Sequence, residues 1–376
     1  MKAVEQKVIN GLSSNASRPL IKVLVVDDSP TARELMVYLL ASDQEIQIIG
    51  TASNGEEALS AVIKQKPDVV TMDVHMPKMN GLEATRAIME SCPVPIIMVS
   101  GSSSDAEMIS TFSALEAGAL VVLKRPPGVE HPDYAATSRE LIQAVKLMSE
   151  VKVVKRWSQR KAAIHAVSES SQQEFVPSTA KVRLVAMGSS TGGPLVLQKI
   201  LSKLPRNFPV PIIIVQHITE GFTEGFADWL METTGIPVRV ASHAELMKPG
   251  CVYMAPNGNQ ISVDRFGRIA LKKEALEHGH APSVSYLFRS VAAAYGPNAV
   301  GVLLTGMGKD GAAELGLMKE RGAITLAQDK ESSVVHGMPG EAIALGATTY
   351  VMSPEKIAAA LTSLTRPSQG KSDDYQ

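Results

Sequence analysis

The sequence predicts an α/β protein made of two doubly wound, parallel-sheet domains, and three observations predict it. Short runs rich in Val and Ile alternate with helix-period segments along almost the whole chain, the pattern of βα units. Those runs are continuously apolar, as strands covered by helices on both faces must be. The 376 residues exceed one ordinary domain of about 100–200 residues, and a single polar stretch divides the alternation in two.

After a leader over 1–19, the first domain is assigned to residues 20–148, with strands at "IKVLVVDD", "IQIIG", "VVTMD", "PIIMVS" and "ALVVLK". Residues 149–180 start basic, turn rich in Ser, Gln and Glu, lose the apolar period and read as a linker. The second domain, 181–366, carries strands at "VRLVAMG", "VPIIIVQH", "PVRVAS", "CVYMAP", "AVGVLLTG" and "AITLAQ". Helices are expected over 194–204, 222–234, 283–295 and 311–321, and 367–376 form a polar tail.

Hydrophobic residues make up 45% and charged residues 20%, a globular balance, and a net charge of -1 gives no global attraction to nucleic acid or to anionic membrane. Neither a secretory h-region nor a run of about eighteen apolar residues occurs, so a cytoplasmic location without membrane insertion is expected. The sequon at Asn15 then has no role. Cys92 and Cys251 lack metal or redox spacing and are expected to be buried small hydrophobes. The seventeen methionines read as core fillers, and Trp157 as an anchor for a partner or for its own domain.

In the first domain Asp27 and Asp28, Asp73, Ser100 and Lys124 each close a strand, on the sheet edge where doubly wound folds bind ligands. Clustered carboxylates favour a hard divalent cation such as Mg²⁺, whose shell phosphate oxygens usually complete. Asp73 would then accept a phosphoryl group, with Lys124 offsetting charge and Ser100 hydrogen-bonding the product. Taken alone, "DDSP" reads equally well as a helix N-cap.

Through "VLVVDDS", "VVTMDVHMPKMNG", "IIMVS" and "LVVLKRP", the first domain resembles the receiver domain of bacterial response regulators, a flavodoxin-like fold. The resemblance implies phosphorylation of Asp73 by a histidine kinase and Mg²⁺ held by Asp28, Asp73 and the backbone carbonyl of His75. One departure stands out: Arg125 separates Lys124 from Pro126, where that family has Lys-Pro, often joined by a cis bond. A cis bond before a non-proline costs about 2.5–4 kcal/mol, so a trans Lys124–Arg125 bond is expected.

In the second domain Ser190 of "GSSTGGP", His217 and Asp310 each follow a predicted strand and would meet at one edge of a parallel sheet. Serine needs a base, histidine supplies one near neutral pH, and a carboxylate fixes its tautomer. The order Ser, His, Asp is not that of the α/β-hydrolases, although "GSSTG" fits their G-x-S-x-G pattern. Read from these residues alone, a turn serine, a strand-end histidine and a capping aspartate remain equally open. A phosphate cradle is disfavoured, because "GSSTGGP" has no lysine and does not match G-x-G-x-x-G.

"VAMGSSTGGP", "PIIIVQHI", "YMAPNGNQ", "AVGVLLTGMGKDGAAELGLMKERGAITLAQD" and "SVVHGMPGEAI" resemble the catalytic domain of the chemotaxis-specific protein-glutamate methylesterases, a Rossmann-like fold. The resemblance implies Ser190 as nucleophile, His217 as base and Asp310 as orienting acid, with Thr191 and the Met307 backbone beside the oxyanion. It implies hydrolysis of glutamate γ-methyl esters and deamidation of glutamines in chemoreceptors, without a cofactor for the ester chemistry and under control of the receiver. Ala281 and Gly340 stand where that family often carries arginine. His278 and His280 are too weakly spaced to suggest zinc. An adaptor that binds receptors without turnover is the rival reading, and a DNA-binding regulator a weaker one, since the second half is no compact basic helix-turn-helix.

Overall fold

The computed structural model describes residues 19–101, 112–151, 153 and 180–366. The leader, most of the linker with Trp157, and the tail lie outside the described residues.

The first sheet comprises β1 (Ile21–Val26), β2 (Ile46–Ala52), β3 (Val69–Asp73), β4 (Ile96–Ser100) and β5 (Val121–Lys124). All neighbours pair in parallel in the order β2-β1-β3-β4-β5, so strand order reverses beside β1, which leads into Asp27, and β3, which ends at Asp73. Every residue of β3 and β4 is buried, which explains why both read as unbroken apolar runs. Helices α1 (Pro30–Ala41), α2 (Gly55–Gln65), α3 (Gly81–Ser91) and α4 (Tyr134–Ser149) cover the faces, with a short helical stretch at 112–117. The cap of α1 is Ser29, whose Oγ accepts from the Ala32 amide, while Asp27 Oδ1 accepts from the Ser29 amide. Asp28 is left exposed and caps nothing in that turn.

The second domain runs through β6 (Leu184–Ser189), α5 (Gly193–Leu201), β7 (Ile212–Gln216), α6 (Thr223–Thr234), β8 (Val238–Val240) and β9 (Val252–Met254). A hairpin of β10 (Gln260–Val263) and β11 (Ile269–Lys272) follows, then α7 (Val284–Tyr295), β12 (Ala299–Leu303), α8 (Ala312–Glu320) and β13 (Ile324–Gln328). The last elements are α9 (Met338–Ala344), β14 (Tyr350–Met352) and α10 (Pro354–Leu364). Seven parallel strands order as β14-β13-β12-β6-β7-β9-β8, so this sheet reverses between β6 and β12. That reversal opens a crevice beyond the carboxyl ends of β6, β7 and β12.

The two domains share one apolar cluster. Phe112 of the first packs against Phe222, Phe226 and Trp229 of the second, with ring centroids 6.2, 5.1 and 5.8 Å away. Gln198 Nε2 donates to Glu116 Oε1 at 2.9 Å, and Thr219 Oγ1 to Glu140 Oε1 at 3.1 Å. Cys92 and Cys251 are half-buried and unpaired, so neither is the fully buried hydrophobe expected. No described helix is long and apolar enough to cross a membrane.

Candidate active site and acceptor pocket

The crevice of the second sheet gathers Ser190, His217 and Asp310: Ser190 and His217 directly follow β6 and β7, and Asp310 lies in the loop between β12 and α8. Asp310 is 2% exposed and its carboxylate is saturated: it accepts from Ser283 Oγ at 2.8 Å and from the Val284 and Ser285 amides at 2.7 and 2.9 Å. Its Oδ2 lies 2.9 Å from His217 Nε2. Burial alone would raise this carboxyl, but the hydrogen bond and charge of His217 and the bonds from Ser285 outweigh it and hold it well below the usual carboxylate range. Asp310 therefore stays ionised and fixes the Nε2–H tautomer of His217. The other ring nitrogen, Nδ1, is buried without a partner, a basic lone pair held ready in the crevice.

Ser190 sits in the tight turn between β6 and α5, its amide bonded to the Thr305 carbonyl at 3.0 Å. That amide is thus occupied, whereas the amides of Thr191 and Met307 donate to no group among the described residues. Both residues line the same cavity as Ser190 and His217. Free amides beside a nucleophile can stabilise an oxyanion.

Two residues that the sequence reading gave no role hold this constellation together. Gln216, 3% exposed at the end of β7, accepts from Ser189 Oγ at 2.6 Å and donates to the carbonyls of Ser190 and His217 at 2.9 and 2.8 Å. One amide side chain thus ties the turn of Ser190 to His217. It needs Gly193 beside it, because a Cβ there would collide with Gln216 Oε1 and with Ser189. The second residue is His280, whose ring stacks on His217 with centroids 3.6 Å apart and planes 11° off parallel. Burial, helped by the nearby charge of His217, pushes His280 down to about 4, so it is neutral where the base works. His278 lies in the left-handed region, one turn residue away on the exposed loop. Ala281 lines the cavity, and Gly340 packs beneath His336.

In the first domain Asp27, Asp28 and Asp73 bring one carboxylate oxygen each within 4.8 Å of one another, and buried Ser100 closes the neighbouring strand. Burial, opposed by Arg125 and reinforced by Asp27, raises Asp73. The cation in this pocket is not Lys124. Lys124 is exposed, and Arg125 enters instead, its Nη2 lying 2.9 Å from Asp73 Oδ1 and 3.3 Å from Asp27 Oδ2. Successive side chains of a strand point to opposite faces, so the extra residue before Pro126 turns Lys124 outward and Arg125 inward. The larger guanidinium has room because residue 101 is glycine; a Cβ there would lie 3.0 Å from the Arg125 Cζ. Among described residues the one cis peptide is Ala281–Pro282, so Lys124–Arg125 is trans as expected. His75 is exposed beside the pocket, with no side-chain bond to the carboxylates.

The catalytic crevice is roofed by the first domain. A cavity of about 390 Å³ is lined on one side by Ser190, Thr191, His217 and His280 and on the other by β5 and α4.

Comparison with known proteins agrees with both halves. The family model of the CheB methylesterase matches residues 185–361, and that of the response regulator receiver domain residues 23–131. A protein-glutamate methylesterase/protein-glutamine glutaminase of Nitrosospira multiformis is 58% identical, across 92% of this chain and 97% of its own length. One from Syntrophus aciditrophicus is 54% identical, across 92% and 98%. The crystal structure of the Thermotoga maritima CheB methylesterase catalytic domain is 38% identical, covering 49% of this chain and 100% of that one, with a TM-score of 0.48. With such identity over nearly the full length of both chains, this chain belongs to the protein-glutamate methylesterase/protein-glutamine glutaminase family, a CheB methylesterase domain joined to a response regulator receiver domain.

Proposed function

We propose that the protein is a phosphorylation-activated serine hydrolase of chemotaxis adaptation, which demethylates glutamate γ-methyl esters and deamidates glutamines in chemoreceptors. The observation that carries this is the convergence of Ser190, His217 and Asp310 at the reversal of a parallel sheet, under a receiver-type domain. Ser190 Oγ attacks the ester carbonyl as its proton passes to His217 Nδ1. The amides of Thr191 and Met307 stabilise the oxyanion. On collapse the carbonyl re-forms, the methoxy group leaves with the proton from His217 as methanol, and the acyl group stays on Ser190. His217 then takes a proton from water, whose hydroxyl adds to the acyl carbon; as this second intermediate collapses, the proton passes from His217 to Ser190 Oγ, which leaves as the free serine and releases glutamate. A glutamine forms the same acyl group with loss of ammonia.

In the receiver, a histidine kinase of the chemotaxis system is the phosphodonor, and Asp73 supplies the acceptor oxygen. The three aspartates fit a hard cation: Asp28, Asp73 and the His75 carbonyl would hold Mg²⁺, which supplies neutralisation of the phosphoryl oxygens. Arg125 already joins the end of β5 to Asp73, and β5 is part of the roof over the crevice. A change of partner for Arg125 therefore acts on the strand that restricts access to Ser190. Trapping the acyl-enzyme tests the chemistry. Acid-quenched reactions with a methylated receptor fragment should carry the substrate's acyl mass on the peptide containing Ser190; its absence when methanol is released would sink the covalent route.

A further inference from the structure

The helix that covers the crevice has an unusual face. Glu140, Gln143, Ala144 and Leu147 of α4 all line the cavity, at spacings i, i+3, i+4 and i+7 that form one stripe. Opposite them stand Ser190, His217 and Thr219. An enzyme for glutamyl esters and glutamines on helices is thus covered, at rest, by a helix presenting a glutamate and a glutamine one turn apart.

The glutamate is engaged by the catalytic domain. Thr219 Oγ1 donates to Glu140 Oε1 at 3.1 Å. Thr219 follows the base by two residues, and its carbonyl is anchored by Asn257 Nδ2 and the Phe222 amide, each at 3.2 Å. No lysine, arginine or histidine pairs with Glu140 among the described residues, so this carboxylate is not there for a salt bridge. Solvent reaches it along the cavity, yet the surrounding protein removes enough hydration to raise its carboxyl, an effect the Thr219 bond only partly offsets.

We infer that Thr219 is a subsite for a glutamate or glutamine side chain of the substrate helix, and that Glu140 fills it as a product mimic while the receiver is unphosphorylated. The receiver then blocks the crevice by imitating what the crevice binds. Release of α4 frees both the path to Ser190 and the Thr219 hydroxyl. This inference rests on the proposed esterase function.

The test uses the full chain, with a methylated receptor fragment and with p-nitrophenyl acetate, an ester that carries no helix. Glu140→Ala should raise methanol release without phosphodonor at least fivefold. With acetyl phosphate present, Thr219→Val should raise KM for the fragment at least fivefold with kcat down less than twofold, and should harm the fragment more than the small ester. Thr219→Ser, which keeps the hydroxyl, should restore KM. Equal losses on both esters, an unchanged KM, a Thr219→Ser variant as impaired as Thr219→Val, or an unstimulated rate unmoved by Glu140→Ala would each overturn the subsite. A wild-type protein that hydrolyses p-nitrophenyl acetate but releases no methanol would instead bring down the esterase function and the subsite with it.

Discussion

Phe112 is the point at which the two domains can be separated with one substitution. Its ring is 1% exposed and contacts three aromatic rings, Phe222, Phe226 and Trp229, all from the catalytic domain. Burying a phenylalanine is worth about 1.5–3 kcal/mol, and aromatic pairs add about 0.5–1.5 kcal/mol. If about half of that total belongs to the docked arrangement, Phe112→Ala weakens docking by about 1–2 kcal/mol, or roughly 5- to 30-fold in the docked-to-open ratio. Methanol release without phosphodonor should therefore rise by roughly 5- to 30-fold, limited by the fully activated rate, and the stimulation ratio should shrink to match. The assay compares initial rates of wild type and Phe112→Ala with and without acetyl phosphate, with circular dichroism as the check on folding. A folded Phe112→Ala protein with the wild-type unstimulated rate and full stimulation would refute the idea that this contact restrains the enzyme.

Three further outcomes follow from the geometry. Gln216→Leu removes the three side-chain bonds of Gln216 to Ser189, Ser190 and His217, and kcat should fall about 100-fold on both esters, since misplacing a catalytic group by about 1 Å costs that much; steady-state kinetics reads it, and a loss confined to KM would contradict it. Arg125→Ala strips the pocket of the cation that bridges Asp27 and Asp73, so the ratio of donor-stimulated to unstimulated methanol release should fall at least fivefold, whereas Lys124→Ala should leave it within twofold. His280 ionises at about 4 in the folded protein and near the ordinary 6.5 when unfolded, so the unfolded chain binds more protons in that interval. Stability should consequently rise with pH from about 4 to 6.5, by about 1 kcal/mol once solvent screening at this partly open site is allowed for, and His280→Gln should flatten urea-denaturation midpoints across that window.

The fold, and the meeting of Ser190, His217 and Asp310 in one crevice, were legible because each rests on where an apolar run ends. Ser190 and His217 directly follow such runs and Asp310 lies a short loop beyond another, and a parallel sheet brings run-ends together, so spacing in sequence did not matter. The pocket cation was misread for the same reason turned around: in "LVVLKRPP" the run's end is uncertain by one residue, and one residue reverses the facing side. The hairpin Gln260–Lys272 escaped because its strands are only four residues each and β10 alternates polar and apolar residues, unlike the longer buried runs that set the pattern. Gln216 was passed over as the polar end of a strand, although its place immediately before the candidate base was a usable signal. His280 was weighed only as a metal ligand, and no sequence pattern places it against a ring 63 positions earlier. The roles of Glu140 and Thr219 depend on how the two domains face each other, which neither domain's sequence states.

The most direct measurement is methanol release from a methylated receptor fragment by the full-length protein, with and without acetyl phosphate and Mg²⁺, and with Ser190→Ala as the blank. Slow release at rest, release stimulated at least tenfold by the donor, and none above background from Ser190→Ala are expected. Release by Ser190→Ala at the wild-type rate, or no release by folded wild type under either condition, would contradict it.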